Sequence, residues 1–152
     1  MKRTLVMLLL GMALLLAACA SNAPEEPTLE IEDAWARAAL LPSDASASAA
    51  TSAVYMTIRN RGKQGDKLIN ASSDVAEIVE LHTTETRNGM TMMSRIEQVD
   101  IPGLKKAELK PGGLHVMLIR LTRDLIPGDT VKVTLEFEKS GAVVVEAPVR
   151  EP

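Results

Sequence analysis

In Val131-Lys-Val-Thr-Leu-Glu-Phe137, the apolar residues Val131, Val133, Leu135 and Phe137 alternate with Lys132, Thr134 and Glu136. A period of two places one set on each face of an extended strand and leaves no apolar stripe for a helix. Alternating stretches also run over Val54 to Asn60, Lys67 to Ala71, Ile78 to Thr83, Met92 to Val99, Lys105 to Leu109, Gly113 to Leu121 and Val143 to Val149. Between them stand Arg61-Gly62, Pro102-Gly103, Pro111-Gly112-Gly113, Pro127-Gly128 and Ser140-Gly141. Strands spaced at about 8 to 12 residues with turn chemistry between them predict a single all-β domain, a sandwich or small barrel. No segment reads as an amphipathic helix, and the Ser/Ala-rich stretch Pro42 to Ser52 reads as a mobile loop. With aromatic residues at 2% of the chain, the core has to be built from Val, Ile, Leu, Ala and Met.

The first residues follow different rules. Lys2 and Arg3 precede an uncharged run from Leu5 to Leu16, and small residues lead into Cys19. The run is about a dozen residues, against the roughly 20 that a bilayer-spanning helix needs, so 1–18 is expected to be a cleaved signal peptide. Leu16-Ala17-Ala18-Cys19 resembles the bacterial lipobox, whose Cys is alkylated with diacylglycerol and becomes the first mature residue. Cys19 is the only cysteine, so it has no internal disulfide partner, and lipidation would dispose of an otherwise exposed thiol. The polar, proline-containing segment that follows reads as a flexible tether over 19–28, leaving 29–152 as the folded domain. Two acyl chains suffice to hold a protein at a membrane, so the expected location is extracytoplasmic, in the periplasm or on the outer face of the cell membrane. Losing Lys2 and Arg3 takes the net charge from -3 to -5, and an acidic chain is a poor partner for nucleic acid.

The residues able to carry chemistry are few. Past Cys19 the chain has two histidines, His82 and His115, and five methionines, Met56, Met90, Met92, Met93 and Met117. His115 and Met117 are two apart in a strand-like run after the Pro111-Gly112-Gly113 turn, so they share a face. His82 ends the expected strand Ile78 to His82, at a rim suited to an exposed site. A tight loop over Thr84 to Gly89 brings the methionines back beside it. If Met90 to Met93 is extended, Met93 faces away from Met90 and Met92, and only one set reaches the site; sequence alone leaves the choice open. Two imidazoles with two thioethers make a soft to borderline, uncharged donor set that suits Cu(I) and suits Zn, Mg or Ca poorly. A blue-copper centre would need a Cys in the domain.

His82, Met93, His115 and Met117 match the spacing H-x10-M-x21-H-x-M, and with it the chain resembles the periplasmic copper chaperone family written PCu(A)C. Asp33-Ala-Trp-Ala-Arg37, Ala53 to Asn60, Val79-Glu-Leu-His-Thr83, Leu109-Lys-Pro-Gly-Gly113 and Leu135-Glu-Phe137 look like its recurring blocks, so the resemblance spans nearly all of Leu29 to Val149. It implies a cupredoxin-like, Greek-key β-sandwich with a Cu(I) site at one end. It also implies copper delivery to the binuclear copper centre of cytochrome c oxidase, often beside a thioredoxin-like copper protein. Some members carry Met directly after the first His, where this chain has Thr83.

Other functions compete with that reading. The same ligands would serve copper storage or tolerance without a dedicated acceptor. A redox enzyme using bound copper is disfavoured by a Cu(I)-preferring donor set. No nucleophile elbow or HExxH signature is present, so no enzymatic activity is expected.

Overall fold

The computed structural model describes residues 23–42 and 50–151. The expected signal peptide, Cys19 and positions 43–49 of the Ser/Ala-rich stretch lie outside these residues. Ten strands follow one another: β1 Leu29–Arg37, β2 Thr51–Asn60, β3 Asp66–Ser73, β4 Ala76–Arg87, β5 Met90–Arg95, β6 Val99–Ile101, β7 Lys106–Leu109, β8 Leu114–Leu121, β9 Thr130–Phe137 and β10 Gly141–Arg150. They form one hydrogen-bonded sheet in the order β5-β4-β8-β7-β2-β1-β10-β9-β3-β6, with β8 pairing β2 as well. β1 meets β10 in parallel at Ala36↔Val149 and Arg37↔Arg150, and this short seam joins the two halves of the sheet. The all-β expectation holds.

The halves close on a common core. Val54, Ile58, Leu81, Val116 and Leu118 come from β2, β4 and β8; Leu68, Val131, Val133, Leu135 and Val145 come from β3, β9 and β10. In β9 the alternation is carried through: Val131, Val133, Leu135 and Phe137 are buried and Lys132 and Glu136 are exposed. Removing such side chains from water stabilises the fold by about 1.5–3 kcal/mol each.

Three stretches depart from the sequence reading. β1 has no counterpart among the expected strands, because Asp33 adopts φ 53° and the pairing with β2 shifts register between Glu32 and Trp35. That bulge switches the phase of the alternation within one strand, so no single period-two pattern fits it. Met92 to Val99 is not one strand but parts of two, β5 and β6, which lie at opposite edges of the sheet. Ile96 and Val99 are three apart, out of phase for one strand, and Ile96 instead donates its amide to Leu81 O at 2.9 Å. Thr51 and Ser52, expected in the loop, already belong to β2, where Ser52 Oγ donates to Arg37 O at 2.6 Å.

Buried polar groups pin the end of the domain where the chain enters it. The Asn60 side chain accepts from Thr28 N at 3.1 Å and from Gly62 N at 2.9 Å, and it donates to Gln64 O at 2.7 Å. The preceding segment is held to the same turn, with Lys63 N donating to Pro24 O and Gln64 N to Glu25 O at 2.8 and 3.0 Å. A Cβ on Gly62 would lie 1.9 Å from Glu26 O, so the approach needs glycine. From Pro24 onward, the segment read as a flexible tether is therefore held against the domain. Across the sheet, burial would raise the Asp66 carboxyl. Bonds from Ser140, Lys139 and Lys67 outweigh that and hold it below its usual range, fastening the β9–β10 turn to β3.

Asn60→Ala strips partners from several sheltered groups together. It should destabilise the protein by about 2–4 kcal/mol, read from urea unfolding.

Candidate metal centre

Antiparallel register assembles the site. β4 pairs with β8 so that His82 lies directly opposite His115 and Glu80 opposite Met117. β4 pairs with β5 so that Thr84 lies opposite Met93. Directly opposed residues project to the same face, and so do residues two apart along a strand. His82, Met93, His115 and Met117 consequently share one face of the β5-β4-β8 ribbon, with Glu80 among them. Met92 pairs with Glu85 and Met90 with Arg87, on the other face, where Met92 lines a separate cleft with Thr83 and Ile96. Of the three methionines among which the sequence leaves the choice open, this register puts Met93 on the histidine face.

Two expectations need correcting. His82 is not at the end of a strand, since β4 continues to Arg87 and the turn is only Asn88-Gly89, at φ 52° and 77°. Asn-Gly with both residues at positive φ makes the tight type I′ hairpin, and β-branched Thr83, Thr84 and Thr86 favour extension before it. Nor is His82 exposed: its side chain is 14% accessible.

Met93, His115 and Met117 line one pocket with Arg37, Ser52 and Tyr55. His82 stands beside His115, ring centroids 5.9 Å apart, and on the other side Tyr55 and then Trp35 continue the row at 6.1 and 4.7 Å. Burial grades across the four residues. His115 is 3% exposed and Met93 53%, so the imidazoles form the floor and Met93 the open side.

The hydrogen bonds decide which ring nitrogens are bare. His115 Nδ1 lies 3.0 Å from Gly113 O; a carbonyl can only accept, so Nδ1 carries the proton and Nε2 presents a lone pair. His82 Nε2 lies 2.8 Å from Glu80 Oε2, and an ionised carboxylate likewise only accepts, so Nδ1 of His82 is the bare atom. These two atoms, His82 Nδ1 and His115 Nε2, are the only buried side-chain nitrogens or oxygens without a hydrogen-bond partner among the described residues. Leaving a buried acceptor unpaired costs about 1–3 kcal/mol. Both costs fall on neighbouring rings of one face, where a cation could offset them. Among the described residues no three His, Cys, Asp or Glu side chains gather as a metal site; the other soft donors on this face are the thioethers of Met93 and Met117.

Sequence reasoning gives Glu80 and Tyr55 no role. Glu80 is legible all the same: it stands two residues before His82, hence on its face. Tyr55 reaches the site only through the β2–β8 pairing, a long-range contact with no local signal.

An all-β domain with bare nitrogens on two neighbouring imidazole rings and thioethers on the same face has the donors that a soft metal ion would take. The LpqE-like lipoprotein family model matches residues 29–149, and the chain belongs to that family. A Leifsonia xyli subsp. xyli protein named as a lipoprotein is 30% identical over 124 residues, covering 81% of this chain and 70% of its own. The solved copper-bound PCuAC domain from PmoF2 superposes with a TM-score of 0.65 at 27% identity, covering 84% of this chain and 99% of that one. The Cu(I) form of DR1885 from Deinococcus radiodurans gives 0.59 at 31% identity, covering 80% and 78%. The fold is accordingly cupredoxin-like, as expected.

Burial pushes the His115 ring below the usual imidazole range and charge on His82 acts in the same direction, while the bond to Gly113 O opposes them. In metal-free protein its NMR titration should therefore fall below the ordinary value of about 6.5. The unfolded chain takes up a proton in that window that the folded ring refuses, so this group's contribution to stability should be lost as pH falls from about 6.5. Urea unfolding of the metal-free protein at a series of pH values checks the sign, with His115→Gln expected to flatten the slope.

Proposed function

We propose that this protein is an extracytoplasmic Cu(I) metallochaperone, anchored through a lipid on Cys19, that holds copper with His82, Met93, His115 and Met117. The observation that carries the reading is the pair of bare, buried nitrogens, His82 Nδ1 and His115 Nε2, on neighbouring rings of the face that also bears Met93 and Met117. Cu(I) is the ion that matches two neutral imidazoles and two thioethers. Copper is cargo here, so the site must release it as well as hold it. The likeness to copper-bound PCuAC domains, one of them a Cu(I) form, supports the ion. The lipoprotein description of the family supports the location.

The grading of burial suggests how transfer proceeds. A thioether is a neutral, comparatively weak donor, and Met93 stands at the open side, so an acceptor bringing stronger donors can displace it first. The imidazoles on the floor keep hold of the ion until the acceptor has engaged it. The acceptor we propose is the binuclear copper centre of cytochrome c oxidase, alone or with a thioredoxin-like copper protein as co-donor. Imidazolium cannot coordinate, so protons compete for the site. The carrier requires no bond-making beyond ligand exchange.

Titration of Cu(I) against a competing chelator tests the site. The parent protein should bind one tight equivalent, and a His115→Ala, Met117→Ala double variant should lose it; no tight equivalent in the parent would overturn the copper reading. Met93→Ala should keep the imidazole-bound copper at weaker affinity and alter the rate of transfer to an isolated oxidase copper domain. Transfer indistinguishable from the parent's would remove Met93 from the exchange step. Tight binding with no transfer to any oxidase domain would leave storage or tolerance as the role.

A further inference from the structure

Glu80 is placed to govern His82. Period two puts it on the histidine face, directly opposite Met117. Its Oε2 accepts from His82 Nε2 at 2.8 Å while its Oε1 lies 3.5 Å from Arg95 Nη1. Arg95 is itself opposite His82 on β5, so the carboxylate is held between two cationic or donor groups on the same face. The His82 and Glu80 side chains are 14% and 23% exposed, whereas Arg95 is 71% exposed. The bond to His82 is thus the sheltered one and that to Arg95 the solvated one.

We infer that Glu80 is a positioning residue for the copper site: its carboxylate holds His82 in the tautomer that leaves Nδ1 bare, and its charge balances a monovalent cation among neutral donors. The inference rests on the copper reading above. An imidazole has two tautomers, and only one presents a lone pair at Nδ1. With an ionised carboxylate at Nε2 that tautomer is favoured, so the ring need not be selected from a mixture when the ion arrives. The second contribution is electrostatic. Two imidazoles and two thioethers bring no charge, so a bound Cu(I) leaves one positive charge in a largely sheltered site, where a nearby negative charge interacts strongly. Arg95 anchors the other carboxylate oxygen from the solvent side, which keeps Glu80 turned toward the ring.

Glu80→Gln is nearly isosteric but uncharged, and its amide can either accept from or donate to Nε2. The test measures three things on parent and variant: the His82 tautomer in metal-free protein by ring nitrogen NMR at about pH 8, the Cu(I) affinity against a competing chelator, and the urea unfolding midpoint. The parent should show His82 protonated at Nε2 and the variant a mixture of tautomers. Cu(I) affinity should fall roughly 10–100-fold, the range seen when an outer partner of a metal-bound histidine is lost, with the unfolding midpoint little changed. A parent protein with His82 protonated at Nδ1 overturns the inference without needing the variant, as does a variant that binds Cu(I) as tightly as the parent. Absence of tight Cu(I) binding in the parent overturns the copper reading instead, and the tautomer measurement still judges whether Glu80 controls the ring.

Discussion

Everything at the candidate metal centre depends on the antiparallel register between β4 and β8. One hydrogen-bonded pairing sets His82 against His115 and Glu80 against Met117. The period of two then decides that all four point the same way. A slip by one residue would turn each side chain of the moved strand to the opposite face and dismantle the set. The core guards against this slip, because Leu81, Val116 and Leu118 on the opposite face are buried and would be driven out with it. The placement of the four side chains is in this sense secured by hydrophobic burial on the far side of the same strands.

Two sheltered nitrogens, His82 Nδ1 and His115 Nε2, stand without hydrogen-bond partners, an arrangement that a site shaped only for stability would avoid. A hydroxyl or amide placed nearby would relieve both. Instead the neighbouring hydrogen bonds fall on the other ring nitrogens, Nδ1 of His115 through Gly113 and Nε2 of His82 through Glu80. One bond comes from the backbone and the other from a charged side chain, so the two rings are oriented by independent means. The exposed Met93 completes the set on its open side.

Much of the molecule is legible from side-chain alternation. β9 and β10 follow the apolar pattern, and the pairing of His115 with Met117 on one face needs nothing beyond their spacing. What escapes such reading has physical causes. β1 carries a bulge at Asp33 that reverses its pattern midway. His82 reads as a rim residue because polar Thr83 to Thr86 look like loop, although their β-branched members continue the strand to an Asn-Gly turn. The choice of Met93 over Met92 requires cross-strand register, which lies between segments and is written in neither. Glu80 is within reach of sequence reasoning, since its position relative to His82 is itself an alternation.

The docking of Pro24 to Pro27 on the turn after β2 has a geometric corollary. β2 runs from the metal face, where Ala53 pairs with Met117, to Asn60, where the N-terminal segment is fastened. At about 3.3 Å per residue that separates the two ends by roughly 20 Å. The docked N-terminal segment and Met117 therefore lie toward opposite ends of β2. An anchor on the incoming chain would leave Met117 at the end of β2 farther from the lipid, with Met93 set along the sheet between the two.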